Sequence, residues 1–394
     1  MNGSWRDSIR GRHRLAREQG RWRIRKTLSA AQGVIVDVGQ KQLINFSSND
    51  YLGLANHEQL KRRCARASID LGRGSGASHL VCGHLKPHQQ FEEAIAEFVG
   101  AQRALLFSNG YMANLAVASA FLSKGDLLLQ DKLNHASLID GARLSVATSR
   151  RYAHGNLVHA EALLNKTDYN HCMIASDGVF SMDGDIAPLN ELNALALRHQ
   201  SLLLVDDAHG FGVLGKNGKG ALEAAQLTPS GETIMMATLS KAMGGYGAFV
   251  AADDLYIEHL VQFARSYIYT TALPPAVAAS GFEALRFYRE RGGELRSKLQ
   301  SNIEYFKQAS HDLGLVVLPS STAIQPILIG DSASATRISQ ALFDDGLNVV
   351  AIRPPTVPSG AARLRVALSA VHTRVQIDRL VESLSRHSGS LSDD

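Results

Sequence analysis

Cysteine is scarce in this sequence, since Cys64, Cys82 and Cys172 are its three cysteines among 394 residues. Cysteines spread so far apart form neither a disulfide framework nor the closely spaced ligand pairs of a zinc site. Such usage is typical of a protein that works in a reducing compartment, and we predict a cytoplasmic location. Long apolar runs are missing too, because the best, residues 113–122, falls well short of the ~20 residues that a membrane helix needs. We therefore expect no disulfide, no metal site and no membrane span.

The composition is that of a folded protein, with 45% hydrophobic and 20% charged residues, which excludes wholesale disorder. The net charge of +4 is unevenly distributed, because residues 1–26 carry +7 and the rest of the chain carries −3. One interpretation of this basic arm is a solvated amphipathic helix flanked by Trp5 and Trp22. The others are a surface for an anionic substrate, an organellar targeting peptide or a nucleic-acid contact. We expect no nucleic-acid partner, because the arm lacks interleaved aromatics and no second basic patch follows it.

A regular alternation of apolar strands and helical stretches begins at about residue 101. Strands are predicted at residues 103–107, 126–131, 171–176, 201–207, 233–239 and 247–252, and helices at residues 111–122, 136–146 and 189–199. Because these strands are apolar throughout rather than alternating, we expect them to be buried on both faces, as in a parallel sheet. The pattern predicts an α/β domain with a mainly parallel central sheet wrapped by helices.

The pattern changes after residue 275 and predicts a smaller α+β domain. Helices are predicted at residues 276–291, 294–313 and 333–345, with a break at Gly292-Gly293 between the first two, and strands at residues 315–318, 324–329, 348–352 and 363–367. Residues 34–46 predict a hairpin around Gly39-Gln40. We therefore divide the chain into an arm and hairpin that pack with the small domain (1–50), a large domain (51–285) and a small C-terminal domain (286–394).

Two segments carry the chemistry. In residues 202–210, LLLVDDAHG, an apolar strand ends in two carboxylates and a histidine, and in residues 238–247, TLSKAMGGYG, a lysine follows another apolar strand. A lysine amine in a buried pocket becomes a nucleophile toward carbonyls. A carboxylate on a neighbouring strand is what the ring nitrogen of pyridoxal phosphate (PLP) requires. Each residue alone is ordinary, but together they predict a PLP site, with strand alternation leaving Asp206 and Asp207 both open.

These segments resemble the α-oxoamine synthase family of fold-type-I PLP enzymes. The blocks that carry the resemblance are SNDYLGL (48–54), LNHASLIDG (133–141), DGVFSMDGDIAPL (177–189), VDDAHGFGVLG (205–215) and TLSKAMGGYG (238–247). The block at residues 352–373 is similar to the biotin-pathway branch of that family. The resemblance implies a decarboxylative condensation of L-alanine with a pimeloyl thioester of coenzyme A or an acyl-carrier protein. It also implies a homodimer with shared active sites.

The resemblance also assigns roles to individual residues. It implies that Lys241 bonds to the cofactor aldehyde, that Asp206 holds the ring nitrogen, that His209 contacts the phenolic oxygen and that His135 stacks on the ring. The further cofactor contacts that we expect are Gly110, Tyr111, Ser181, Thr238, Ser240, Thr270 and Thr271. Of these, Gly110 and Tyr111 follow a strand and begin a helix, which presents backbone N–H groups to an anion, although a plain strand–helix turn is about as common. The resemblance implies that Thr270 and Thr271 reach the cofactor of the second subunit.

Substrate contacts are expected from a second set of residues. Arg353 is the candidate for the amino-acid carboxylate, because a guanidinium binds a carboxylate through two parallel hydrogen bonds. The other candidates are Arg23, Asn49, His135 and Thr356. Asp177 stands where relatives often have glutamate, which bears on the substrate rather than on the reaction type.

Two alternatives to this function remain open. Another member of the family, of the glycine C-acetyltransferase or 5-aminolevulinate synthase type, would use glycine with a different thioester. A PLP- or nucleic-acid-binding regulator would instead use the basic arm. His79, His84 and His88 are spaced like metal ligands, but no carboxylate or thiol set completes a site, and we expect them on a surface formed by a loop and a helix.

Overall fold

The computed structural model describes residues 4–388 and divides into two compact units. The larger unit is Asn49–Leu299, and the smaller unit combines Met1–Ser48 with Gln300–Asp394. The divisions fall after residues 48 and 299, whereas the sequence places them after residues 50 and 285. The strands are β1 Ile35–Val38, β2 Lys41–Asn45, β3 Arg103–Phe107, β4 Leu127–Asp131, β5 Thr148–Tyr152, β6 Cys172–Asp177, β7 Leu202–Asp206, β8 Thr233–Thr238, β9 Ala248–Ala252, β10 Ile324–Gly330, β11 Leu347–Asn348, β12 Val350–Ile352 and β13 Ala362–Ala367.

The helices follow the same chain order. They are α1 Trp5–Glu18, α2 Glu58–Leu71, α3 Lys86–Val99, α4 Gly110–Phe121, α5 Ala136–Leu144, α6 Leu157–Asn165, α7 Leu189–Arg198, α8 Ala221–Ala224, α9 Asp254–Phe263, α10 Arg265–Ile268, α11 Pro275–Asp312, α12 Ser332–Asp344 and α13 Arg374–Ser388, with a short π-helical turn at His79–Gly83. Within residues 4–388, no helix is both long enough and apolar enough to cross a membrane.

A seven-stranded sheet forms the centre of the larger unit, in the order β3-β9-β8-β7-β6-β4-β5. The strands from β8 to β5 are parallel, while β9 runs antiparallel to both of its neighbours. Every residue of β4, β6 and β8 is buried, which is what continuous apolar runs predict for strands covered on both faces. The predicted mainly parallel sheet is therefore present. The edge strand β5 was not predicted, because its sequence TSRRY is polar and mostly exposed.

Small side chains let α4 pack closely on this sheet. Ala113, Ala116 and Val117 of α4 are fully buried in the same apolar cluster as Leu204 and Ile234 of the central strands. Close packing of this kind excludes water and fixes the helix in one position. The N-terminus of α4 therefore sits at a defined point relative to the ends of the central strands.

The smaller unit contains two three-stranded sheets, β1-β2-β11 and β10-β13-β12. The predicted hairpin is present, and Gly39 at its turn has a φ of +61°, which glycine adopts without steric cost. The single strand predicted at residues 348–352 is wrong, because β11 and β12 belong to different sheets. The strand predicted at residues 315–318 is also wrong, since only an isolated bridge joins Val317 to Ile327. Helix α1 forms in the basic arm and buries none of its side chains.

The predicted helix break at Gly292-Gly293 is wrong, because α11 runs without interruption from Pro275 to Asp312. Two glycines cost a helix roughly 1 kcal/mol each relative to alanine, and packing of the long helix outweighs that penalty. Gly292 has a packing reason of its own, since a Cβ atom there would lie 2.7 Å from the ring of Tyr288. That ring is fully buried and its hydroxyl donates to the Gly212 carbonyl at 3.0 Å, so it cannot easily move.

Replacing each of these two neighbouring glycines with alanine should therefore change the free energy of unfolding in opposite directions. A Cβ at Gly293 meets nothing within 4 Å, so Gly293→Ala should raise the free energy of unfolding by roughly 1 kcal/mol through helix propensity alone. Gly292→Ala brings the same propensity gain but should lower the free energy of unfolding, because its methyl group collides with Tyr288. Urea unfolding of both variants measures the difference, and equal stabilisation by both would contradict the close packing at Gly292.

Candidate active site

The carboxyl ends of β6, β7 and β8 and the N-termini of α4 and α5 border a cavity of about 190 Å³. This is where an α/β sheet places its ligand, because the strand ends and the helix N-termini meet at one edge. Most of the predicted cofactor residues line this one cavity, namely Gly110, Tyr111, His135, Ser181, Asp206, His209, Thr238, Ser240 and Lys241. Residues more than a hundred positions apart in the chain are thus brought together within the larger unit.

The two adjacent aspartates at the end of β7 occupy different environments. Asp206 lines the cavity and is 5% exposed, while Asp207 is fully buried and does not line it. The Asp207 carboxylate accepts a hydrogen bond from the backbone N–H of Ala221 at 2.7 Å, on the side of α8. Burial raises the pKa of Asp207 well above its usual range. Asp206 is thus the carboxylate that a bound ring can meet, and Asp207 ties β7 to the following loop.

Asn114 orients the Asp206 carboxylate, and the sequence analysis did not identify it. Its side-chain N–H group donates to Asp206 Oδ2 at 2.6 Å, and the backbone N–H of Ala208 donates to Asp206 Oδ1 at 3.1 Å. A hydrogen bond to a charged group is worth about 1.5–3 kcal/mol, so these donors offset much of the cost of burying the carboxylate. A fully buried asparagine in an otherwise apolar helical face is the signal that could have revealed it.

The same Asn114 amide also reaches His135 through Ser137. Asn114 Nδ2 lies 2.8 Å from Ser137 Oγ, which lies 2.7 Å from His135 Nδ1. The backbone N–H of Ser137 donates to His135 Nδ1 at 3.4 Å, so Nδ1 is an acceptor and the Ser137 hydroxyl donates to it as well. Burial lowers the pKa of His135, the charge of Asp206 opposes this and the charge of Lys241 adds to it. His135 is therefore held as a neutral imidazole with its proton on Nε2.

A second buried carboxylate, Asp177, lies beside Asp206 at the end of β6, in direct register with it. Its Oδ1 accepts the backbone N–H of His135 at 3.1 Å, and its own N–H donates to Asn134 Oδ1 at 3.0 Å. Burial first, and then the negative charge of Asp206, raise the pKa of Asp177 well above its usual range. Asp177 thus fixes the backbone at His135.

His209 is held by a residue that the sequence analysis did not single out, Tyr51. The Tyr51 hydroxyl lies 2.6 Å from His209 Nδ1 and 3.2 Å from Asn49 Oδ1. Tyr51 is fully buried, so its ring provides a rigid support for the imidazole. The predicted substrate residue Asn49 is thereby linked to the predicted cofactor residue His209 within the larger unit.

Backbone N–H groups and hydroxyls also line the cavity. Asn109 caps α4 by accepting the N–H of Met112 at 3.0 Å, which leaves the first turn at Gly110 and Tyr111 facing the cavity. The Thr238 hydroxyl donates to the Gly247 carbonyl at 3.0 Å and lies 2.8 Å from Ser240 Oγ. Helix N-terminal N–H groups with nearby hydroxyls form a suitable site for a phosphate.

The remaining predicted residues lie elsewhere. Thr270 and Thr271 belong to the larger unit but do not line this cavity, and Thr271 instead pairs with Ser78. The others, Arg23, Arg353 and Thr356, belong to the smaller unit. There, Arg353 donates to the Gly20 carbonyl at 2.9 Å and to Thr336 Oγ1 at 3.1 Å, and its own carbonyl accepts the Thr356 N–H at 3.0 Å. Arg23 is exposed.

Comparison with known proteins gives consistent results. The sequence matches the family described as aminotransferase class I and II over residues 41–384. The 8-amino-7-oxononanoate synthase of Hydrogenovibrio crunogenus is 51% identical to it over 93% of this chain and 92% of its own. The synthase of the same name from Ectopseudomonas mendocina is 50% identical over 94% of this chain and 96% of its own.

Solved structures match the fold over nearly the whole chain. A serine palmitoyltransferase from S. paucimobilis, solved with bound PLP, has a TM-score of 0.91 and 28% identity, and covers 98% of both chains. An 8-amino-7-oxononanoate synthase from Francisella tularensis has a TM-score of 0.76 and 35% identity, and covers 89% of this chain and 99% of its own.

Matched over most of its length, the chain belongs to the class I and II aminotransferases, which are PLP enzymes of fold type I. Within that class it groups with the 8-amino-7-oxononanoate synthases, two of which are 51% and 50% identical to it. The predicted family, fold class and PLP cofactor are confirmed.

Asn114 offers a direct test of the site's geometry. Asn114→Leu keeps the side chain's size but removes the amide that aligns Asp206, so the dissociation constant of PLP should rise about tenfold, as the loss of ~1.4 kcal/mol predicts. Absorbance titration of the apo-protein with PLP measures it. Ser119→Ala is the matched control on the same helix, because the Ser119 hydroxyl bonds only within α4, to Leu115 and Ala116 carbonyls. Unchanged PLP affinity in Asn114→Leu would contradict the orienting role.

Proposed function

We propose that this chain condenses L-alanine with a pimeloyl thioester to 8-amino-7-oxononanoate, carbon dioxide and a free thiol, as a PLP-dependent acyltransferase of biotin biosynthesis. The observation that carries the proposal is that Lys241 and the buried Asp206 line the same cavity, in a chain about half identical to synthases of that name. The reaction requires an amine and a fixed negative charge on opposite parts of one cofactor ring. Family membership then selects the condensation among the reactions that such a pair supports.

The residues of the cavity suit PLP. The phosphate matches the N–H groups at the start of α4 together with the Ser240 hydroxyl, which Thr238 holds at 2.8 Å, and the ring nitrogen matches Asp206 with its donors. When bound, PLP supplies an aldehyde for the lysine amine and an electron-poor ring that stabilises negative charge on the carbon next to it. His135 is placed at the cavity wall where it can stack on that ring.

Residues of the protein then transfer the proton and stabilise the charges that the reaction creates. Lys241 would act as the base that takes the α-proton of L-alanine onto Nζ. The negative charge of Asp206 keeps the ring nitrogen protonated. Because His135 carries its proton on Nε2, that N–H donates to the carbonyl oxygen of the incoming thioester and stabilises its developing charge. Arg353 binds a substrate carboxylate, and Arg23, Asn49 and Thr356 complete the substrate contacts.

We further propose a homodimer with shared active sites. The family resemblance implies that Thr270 and Thr271 bind the cofactor phosphate, yet they do not line the cavity that holds their own chain's Lys241. A second copy of the chain that supplies these hydroxyls reconciles the expectation with this observation. We place this enzyme in the cytoplasm, with coenzyme A or an acyl-carrier protein carrying the pimeloyl group.

The substrate pair decides between this function and its relatives. Purified enzyme is offered L-alanine, glycine or L-serine with pimeloyl, acetyl, succinyl or palmitoyl thioester, and carbon dioxide release is measured. We expect turnover with L-alanine and pimeloyl thioester to exceed every other pair at least tenfold. Serine belongs in the panel because a serine palmitoyltransferase shares the fold with a TM-score of 0.91. Preference for glycine or serine would replace the proposed activity with that of another family member.

Replacing the lysine tests the mechanism. Lys241→Ala should abolish turnover and the yellow absorbance of the lysine-bound cofactor, because no other amine in the cavity can replace it. Lys124→Ala, at an exposed lysine of the same unit, should leave both unchanged. A Lys241→Ala protein that remains yellow and releases carbon dioxide would refute the assignment.

A further inference from the structure

Three histidines of the larger unit, His79, His84 and His88, form a cluster outside the cavity. His79 Nδ1 lies 2.8 Å from His84 Nδ1, and the three ring centroids are 5.1 to 5.6 Å apart. The expectation that these histidines lie on a surface is wrong for His88, which is fully buried, and for His79, which is 9% exposed, whereas His84 is partly exposed. Among residues 4–388, no group of three or more His, Cys, Asp or Glu side chains is arranged to hold a metal ion. The histidine cluster therefore needs another explanation.

The hydrogen bonds of the cluster determine which ring nitrogens of His79 and His88 carry a proton. Two Nδ1 atoms at 2.8 Å require one donor and one acceptor, so at least one of His79 and His84 is unprotonated at that nitrogen. His88 Nδ1 accepts the backbone N–H of Leu85 at 2.9 Å, which leaves the proton of His88 on Nε2. Burial lowers the pKa of both His79, to about 3, and His88. His79 and His88 are thus held in their neutral form by burial and by these hydrogen bonds.

The His88 Nε2 proton is used to hold the segment that follows Thr270 and Thr271. His88 Nε2 donates to the Leu273 carbonyl at 2.6 Å, and the Ser75 hydroxyl donates to the same oxygen at 2.6 Å. The backbone N–H of Ala272 donates to the Ala77 carbonyl at 2.9 Å. These two donors hold the Leu273 carbonyl in place, two residues after Thr271 in the chain.

His79 holds the other side of the pair. Its ring stacks on Tyr267 with a centroid distance of 4.9 Å and an interplanar angle of 13°. Tyr267 lies on α10, three residues before Thr270, and is 5% exposed. The two threonines therefore lie between two anchored residues, of which Tyr267 stacks on His79 and Leu273 accepts a hydrogen bond from His88. A short segment fixed at both ends keeps its hydroxyls in one place at little entropic cost on binding.

We propose that the histidine cluster positions Thr270 and Thr271 so that they reach the cofactor phosphate bound by the second subunit. This inference rests on the proposed function, because it requires a PLP dimer with shared sites. It makes His88 a positioning residue for its partner's active site rather than for its own. Ser75 acts with His88 through the carbonyl that they share.

Single variants test the hydrogen bond itself. His88→Leu removes the donor to the Leu273 carbonyl and should raise the dissociation constant of PLP about tenfold, measured by absorbance titration of the dimer. His88→Gln places an N–H group near the position of Nε2 and should restore affinity to within about threefold of the wild type. Ser75→Ala removes the second donor and should weaken binding less than His88→Leu. Wild-type affinity in His88→Leu would overturn the proposal.

Hybrid dimers separate an effect on the partner from an effect within one chain. In the first hybrid, one chain carries both Lys241→Ala and His88→Leu and the other chain is wild type. The site with the intact lysine then receives its threonines from the chain with the damaged histidine cluster, and its PLP affinity should fall about tenfold. In the second hybrid, one chain carries Lys241→Ala and the other carries His88→Leu. The site with the intact lysine then receives its threonines from a chain with an undamaged histidine cluster, and its PLP affinity should match that of a Lys241→Ala/wild-type hybrid. The reverse pattern, or equal weakening of both hybrids, would overturn the proposal.

The same material distinguishes failure of this inference from failure of the proposed function. A wild-type protein that takes up no PLP, or that remains monomeric in light scattering, would overturn the proposed dimeric PLP enzyme and this inference with it. If the wild type is a yellow dimer and the His88 variants bind PLP with wild-type affinity, this inference alone is overturned. Thermal melting of each variant confirms that the affinities compared are those of folded protein.

Discussion

The buried carboxylate of Asp206 is the constraint on which the site depends. A carboxylate that is 5% exposed is costly to keep charged unless donors surround it. The Asn114 amide and the Ala208 N–H supply those donors at 2.6 and 3.1 Å. The packing of α4 on the sheet therefore matters for the site, because it places the Asn114 amide beside Asp206 at the end of β7.

One amide organises two functional groups at once. The two N–H bonds of Asn114 reach Asp206 directly and His135 through Ser137. Asp177, in register with Asp206 on the next strand, holds the His135 backbone. Since parallel strands end at a common edge, side chains from distant parts of the sequence become neighbours there. The carboxylate and the imidazole are thus set by the same contacts, and a change in one is transmitted to the other.

The fold could be predicted well where burial is complete and poorly where it is not. Strands such as β3 and β7 are continuous apolar runs, and their positions follow from the sequence to within a residue or two. The edge strand β5 has a polar sequence that carries no such signal. The glycine pair inside α11 was taken for a break because the sequence does not show that Gly292 packs against Tyr288. In each error, a tertiary contact outweighed the local propensity.

The sequence by itself determined the chemical groups and the class of protein: a lysine after one buried strand, aspartates and a histidine after another, in the order of a PLP enzyme family. The motif match already favoured Asp206 over Asp207, and the tertiary structure supplied the reason, because Asp206 lines the cavity and Asp207 does not. Only the tertiary structure decided that Asn114 orients Asp206 and that three histidines converge beside the threonine segment. The physical reason is that spacing along the chain fixes which groups are available and on which element they lie. Which of them share a buried hydrogen bond depends on how those elements pack.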